Sequence, residues 1–297
     1  MTSPVETRPL AAALFMVAAM SVIGVIDNVI PLIARDIGLW QFHAVRAMLA
    51  LPLVAALSLI GLGTLKPQRV SVVILRSVLL AISMLFYFTA LAIMPIAQAL
   101  AGLFTSPIFI LLITSLVLGN RIGPWRVGAV ALGFAGTLIV LQPDPTNFDT
   151  RTLIPVAGGF FYALSAIVTR QLCANESTVC LLAGMWIVLG MMGTVGLIVL
   201  AVLEPEPTSF VTQQWTWTIG AAWPWLCVQA VGSVVGVFMI IKAYQLGEPS
   251  YVSIFEYSVM IFGPAFALAA FGVPISTMQV AGTLMIALAG LVIATRS

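Results

Sequence analysis

The chain has 297 residues, 61% of them hydrophobic and 7% charged, with a formal net charge of +2. A soluble domain carries about 25% charged residues, so this is an integral membrane protein with no room for a sizeable soluble domain. Its basic residues are scattered over short turns, which gives no patch for a nucleic-acid partner; the partner the composition demands is the lipid bilayer.

Taken in order, hydropathy and punctuation predict ten spanning helices, over 10–34, 39–62, 70–93, 96–119, 124–141, 152–172, 178–203, 219–245, 249–271 and 275–295. Most are near the ~20 residues needed to cross ~30 Å of hydrocarbon at ~1.5 Å per residue. The first apolar run is too long for a signal-peptide core and reads as a span. Most connections are short and carry Pro or Gly, as at Lys66-Pro67, Met94-Pro95, Gly123-Pro124, Glu248-Pro249 and Val273-Pro274. Two are longer. Residues 142–151 read as a seam between halves, and an acidic loop from Glu204 runs into Trp215 and Trp217, an aromatic interface belt.

The stretch from Arg76 to Leu141 recurs in weaker form. An offset of 153 places Ala90 on Ala243 and Gly119 on Gly272; a one-residue adjustment then places Gly128 on Gly282 and Gly136 on Gly290. Gly128, Gly133 and Gly136 mark a face on which helix backbones can approach closely. The order of spans and turns repeats as well, which predicts two five-helix halves, residues 1–142 and 152–297. Five is odd, so the second half enters the membrane inverted, and a substrate site is expected between the halves near the midplane. With the N-terminus cytoplasmic, Arg8, Lys66, Arg69, Arg76, Arg121, Arg126, Arg170, Lys242 and Arg296 lie on or near the inner side, against Arg35 and Arg151 outside. The positive-inside rule therefore predicts cytoplasmic N- and C-termini.

Ionisable groups inside a span cost at least ~2.5–3.5 kcal/mol, so each asks for an explanation. Asp27 and Arg46 fall at equal depth on consecutive spans, which predicts a direct ion pair. Such a pair either locks the two helices or contacts a charged substrate and gates the outer mouth. His43, one turn before Arg46, reads as a pH sensor or as an interfacial histidine satisfied by a headgroup or backbone. Glu256 sits about two turns into the ninth span beside Tyr257. It either recognises a cationic group or carries a coupling proton, or it pairs with Arg76 or Lys242 to hold an inner gate. Pro107 and Gly263-Pro264 read as kinks in spans four and nine.

No Gly-Lys-Ser/Thr loop, no His/Glu cluster and no nucleophile beside the lone histidine supports catalysis, a metal or a cofactor. Cys173, Cys180 and Cys227 show neither metal spacing nor a convincing disulfide.

Leu75-Arg76-Ser77 opens the third span, Ala90-Leu91 with Pro95 and Ala97 joins it to the fourth, Pro107 lies within the fourth, and the fifth is glycine-rich. In these features the chain resembles the drug/metabolite transporter (DMT) superfamily, in its ten-helix EamA-type branch. Phe255-Glu256-Tyr257, with Asp27 and Arg46, looks like the subgroup of S-adenosylmethionine transporter-like and metabolite exporter proteins. Two positions depart from that pattern: Ile254 replaces an expected proline, and Gly119-Asn120 a charged end of span four. The resemblance implies that Tyr87, Phe104, Tyr162, Gln229 and Ser233 lie on the spans that line the cavity, where hydroxyls, amides and rings orient a ligand.

The expected function is a secondary active transporter, with the resemblance inclining to export. It would carry a small polar metabolite such as an amino acid, an S-adenosylmethionine-like compound or a vitamin across the cell inner membrane. Alternating access would be driven by protons or by exchange. The competing reading is a membrane-embedded enzyme or a multi-span interaction subunit. Neither the coupling ion nor the oligomeric state is encoded.

Overall fold

The computed structural model describes residues 7–94, 96–144 and 150–296. Pro95, which belongs to the family-like stretch, and positions 145–149 of the seam lie outside them. The described residues form helices and turns with no strand. Ten helical segments are long and apolar enough to cross a membrane: span 1 Pro9–Ile33, span 2 Leu39–Leu59, span 3 Val70–Ala90, span 4 Ala97–Val117, span 5 Pro124–Leu141, span 6 Thr150–Gln171, span 7 Thr178–Leu203, span 8 Ala222–Leu246, span 9 Pro249–Phe271 and span 10 Thr277–Arg296. Span 8 begins at Ala222 rather than 219 because Gly220 takes a left-handed backbone (φ 55°), which no continuing helix accommodates.

At one end, the main chain of Leu39 donates to the Phe210 carbonyl (2.8 Å), and the Gln41 side chain exchanges hydrogen bonds with the Thr216 backbone (2.7 and 3.0 Å). The loops flanking spans 1–2 and 7–8 therefore meet there. At the opposite end, Glu176 accepts from the backbone N–H groups of Gln68 (2.9 Å) and Arg69 (2.7 Å), joining the 2–3 and 6–7 loops and capping span 3. Both described chain ends share this second end. The N–H of Arg8 bonds the Leu246 carbonyl (2.9 Å), Arg126 pairs with Glu248, and the Arg296 guanidinium lies 5.3 Å from the Trp125 ring centre.

Side-by-side packing follows a regular scheme. Span 1 packs on 8 and 9, span 6 on 3 and 4, span 3 on 7, span 8 on 2, while 2 packs on 7 and 5 on 10. Exchanging every span for the one five places away turns this scheme into itself. Spans 5 and 10 approach through glycine: a Cβ on Gly136 would stand 2.8 Å from the Gly282 carbonyl oxygen. Gly128, by contrast, faces open space, so the close-packing face predicted for span 5 is shorter than its glycines suggest.

Three spans are irregular. Span 1 is helical over Pro9–Asp27 and again over Ile30–Ile33, with the Asn28 amide tying the Gly24 carbonyl (2.7 Å) to that of Gly263 in span 9 (3.1 Å). Span 4 breaks at Phe104-Thr105, just ahead of Pro107, and closes in a π-helical turn over Ile113–Val117. Span 9 tightens to a 3₁₀ helix over Ser253–Ser258. Pro264 lies inside the regular helix that follows, so the irregularity in span 9 sits before the expected Gly263-Pro264 kink.

Candidate functional site

A cavity of about 220 Å³ lies at the centre, lined by spans 1–4 and 6–9 and by no residue of spans 5 or 10. The breaks of spans 1, 4 and 9 all bring residues to it: Asp27 ends the first helical piece, Phe104 precedes the second, and Glu256 stands on the 3₁₀ turn. Non-helical backbone at membrane depth is tolerated where it faces a cavity or is buried in protein, because nothing in lipid could satisfy it.

Glu256 is 2% exposed. Its Oε1 accepts two hydroxyls, from Tyr162 (2.8 Å) and Tyr244 (2.6 Å). Neither Arg76 nor Lys242 bonds it, which departs from the expected inner ion pair. Arg76 lines the cavity but spends its guanidinium on Thr169 Oγ1 (3.3 Å) and the Leu181 carbonyl (3.4 Å), while its own carbonyl accepts from Ser165 (3.2 Å). Lys242 does not line the cavity. Tyr257 does not either. Neighbours on a tight helix point in different directions, so with Glu256 turned inwards Tyr257 is driven behind it. There its ring fills the space that Gly133 leaves, and its hydroxyl donates to the Phe104 carbonyl (3.3 Å).

Near the Asp27 end, Arg46, Tyr87, Gln229 and Ser233 also line the cavity. No ion pair joins Asp27 to Arg46, contrary to the expected lock. Arg46 instead donates to Gln229 Oε1 (3.2 Å) and faces His43 Nδ1 (3.4 Å), with Phe42 and Trp186 rings under its guanidinium. Ser233 returns its hydroxyl to the carbonyls of Gln229 and Ala230 on its own helix. His43 reaches neither lipid nor solvent. It is fully buried against Phe88 (ring centres 4.6 Å apart), because the loop before span 8 roofs the first turn of span 2.

Tyr244 and Trp186 join the site although the sequence did not single them out. Tyr244 lies close to the end of span 8, where a tyrosine reads as an interface anchor. Trp186 sits in an unbroken apolar run that gives no polar signal. Outside the spans, burial pushes the Cys173 thiol up to about 11; its sulfur lies 3.7 Å from the Val72 carbonyl oxygen, and all three cysteines are free. Among the described residues, no cluster of three His, Cys, Asp or Glu side chains could hold a metal.

A riboflavin transporter of Rhizobium johnstonii is 36% identical to this chain over 137 residues, 46% of the chain and 44% of that protein. A riboflavin transporter of Vibrio cholerae is 26% identical over 260 residues, 86% of the chain and 83% of that protein. An S-adenosylmethionine uptake transporter of Rickettsia bellii is 30% identical over 122 residues, 41% of the chain and 42% of that protein. The chain thus spans under half the length of the Rhizobium and Rickettsia relatives it matches. A solved crystal structure superposes with a TM-score of 0.76 over 96% of both chains at 18% identity, a likeness of fold. Residues 10–142 match the EamA-like transporter family. The chain is a multi-pass integral membrane protein whose first half is similar to the EamA-like transporter family.

Proposed function

We propose that this protein is a secondary transporter of a small polar metabolite, moved by alternating access between two inverted halves, residues 1–142 and 152–297. One observation carries the reading: a polar-studded cavity enclosed by four spans of each half, with spans broken where they reach it. The packing scheme, unchanged when the halves are exchanged, favours inverted repeats, and the meeting of alternate loops at opposite ends agrees with five spans per half. The basic residues gathered at the end shared by both termini support a cytoplasmic assignment, and bacterial relatives support the inner membrane.

Riboflavin and S-adenosylmethionine, the compounds named for the relatives, are the first candidates. Both combine a ring system with hydrogen-bonding groups, which suits a cavity carrying Tyr87, Phe104 and Trp186 beside Arg46, Gln229 and Glu256. Glu256 is the candidate proton carrier, because its two bonded partners are neutral tyrosines rather than a fixed cation. Asp27 and Arg46 are candidate substrate contacts. Arg76 is a second cation facing the same cavity, whereas Tyr257 braces the Glu256 turn. The energy source is the proton gradient or exchange.

The test is uptake of labelled riboflavin and of S-adenosylmethionine into proteoliposomes, with and without a pH step. Uptake of either that saturates supports the reading. Exclusion of both, with no counterflow from preloaded vesicles, removes these two substrates.

A further inference from the structure

The cavity holds an acid and a base that face the same space and do not pair. Arg46 and Asp27 act on each other electrostatically, and in a low-dielectric site such charges attract strongly. Arginine has a long, flexible stem, yet it stays away. The reason lies in Gln229. Its Oε1 accepts from Arg46 (3.2 Å), and its Nε2 donates to the carbonyl of Ile26 (2.8 Å), the residue before Asp27. Arginine only donates and a carbonyl only accepts, so the amide orientation follows from its partners. Gln229 is 1% exposed and both ends of its amide are committed.

We propose that Gln229 is a spacer that holds Arg46 off Asp27 and keeps both charges available to an amphoteric ligand. That ligand carries an acceptor edge, such as a carboxylate or paired ring carbonyls, and a hydrogen-bond donor or cationic group elsewhere. The inference rests on the transport reading above and names its ligand class. Gln229 is a positioning residue; Arg46, Trp186 and Asp27 are the contacts.

The unmet hydrogen-bonding groups support this division. On the basic side, Arg46 Nε and Trp186 Nε1 are buried donors with no partner, and Trp186 lines the cavity although it is fully buried. Buried donors are rarely left unpaired, so two of them beside one cation mark the place for an acceptor. On the acidic side, Asp27 is open to the cavity and takes no hydrogen bond from any described residue. It marks the place for a donor. Phe42 and Trp186 stack under the guanidinium (4.4 and 5.0 Å), and His43 Nδ1 faces it at 3.4 Å. These contacts hold the plane of Arg46, but Gln229 alone bridges it to the backbone beside Asp27.

The experiment uses the purified full chain. Gln229→Met keeps the length and apolar body of the side chain while removing both hydrogen bonds; Gln229→Leu serves as a second variant. Thermal unfolding without ligand is measured for Asp27→Asn, Arg46→Gln and the double variant, in the wild type and in each Gln229 background. The coupling between Asp27 and Arg46 is expected to grow by about 2–4 °C over its wild-type value once the spacer is gone and the two charges close up. Equal coupling in both backgrounds overturns the spacer. Riboflavin and S-adenosylmethionine are then added. The probe that raises the wild-type unfolding temperature is expected to lose about 10–100-fold in affinity in Gln229→Met. Unchanged affinity overturns the proposal. A wild type that responds to neither compound removes them as substrates, and the coupling comparison still decides the spacer.

Discussion

Tyr257 donates its hydroxyl to the carbonyl of Phe104 at 3.3 Å, with the two ring centres 6.2 Å apart. These residues occupy matching places under the 153-residue offset between the halves, one in span 4 and the other in span 9. The bond satisfies a carbonyl that the break in span 4 leaves without a helical partner. Tyr257→Phe is therefore expected to lower stability by about 1–3 kcal/mol, the cost of a buried acceptor left unmet, with ligand affinity unchanged. Unfolding curves in detergent, with and without riboflavin or S-adenosylmethionine, check both halves of this expectation.

Glu256 should behave differently. Glu256→Gln keeps the shape and removes the titrating group, so transport is expected to lose its response to a pH step. Single Tyr162→Phe and Tyr244→Phe variants should each weaken transport, and their effects should not add, because both hydroxyls serve one oxygen. Normal Glu256→Gln transport at every pH would falsify proton coupling through this residue.

Glu176 is 5% exposed and caps span 3 from a distant loop with two charge-assisted bonds. Glu176→Ala leaves two N–H groups at the head of span 3 unmet. The expected loss is about 1–3 kcal/mol, with faster amide exchange at 68–73 and little change near Asp27.

Cys173 offers a pH test away from the candidate site. Its buried thiol is raised from 9.0 to about 11, so the folded state favours the protonated form. The stability this contributes is full below pH 9 and is lost as pH rises towards about 11. Cys173→Ala should flatten that part of the stability curve. Maleimide should label Cys173 more slowly than Cys227 at neutral pH, because the thiolate is the reactive form and Cys173 is fully buried.

Much of this architecture can be read from composition, because spanning helices need only length and apolarity. The ten spans agree with the expected ones to within a few residues at most ends, and Glu256, Asp27 and Arg46 stand out because charge in a span is costly. Partnership was less legible. Equal depth suggested that Asp27 pairs with Arg46, yet the decisive neighbour, Gln229, is 183 residues from Arg46 and carries no charge to advertise itself. Depth points from Glu256 to Arg76 and Lys242, but angular position around a helix decides which groups meet. A 3₁₀ turn that no local signal announces changes that angle for Glu256 and Tyr257 alike. Tyr244 and Trp186 escape a reading of the sequence because an aromatic residue in an apolar run looks the same whether it faces lipid, core or cavity.

Spans 2 and 7 are stitched together at both extremities, through Gln41 with Thr216 at one and through Gln68 and Arg69 with Glu176 at the other. They form the spine of a book. Under the proposed alternating access, a rearrangement that uncovers the interior would leave the spine closed and part the pages at the fore-edge, where spans 4 and 9 already lack continuous helix.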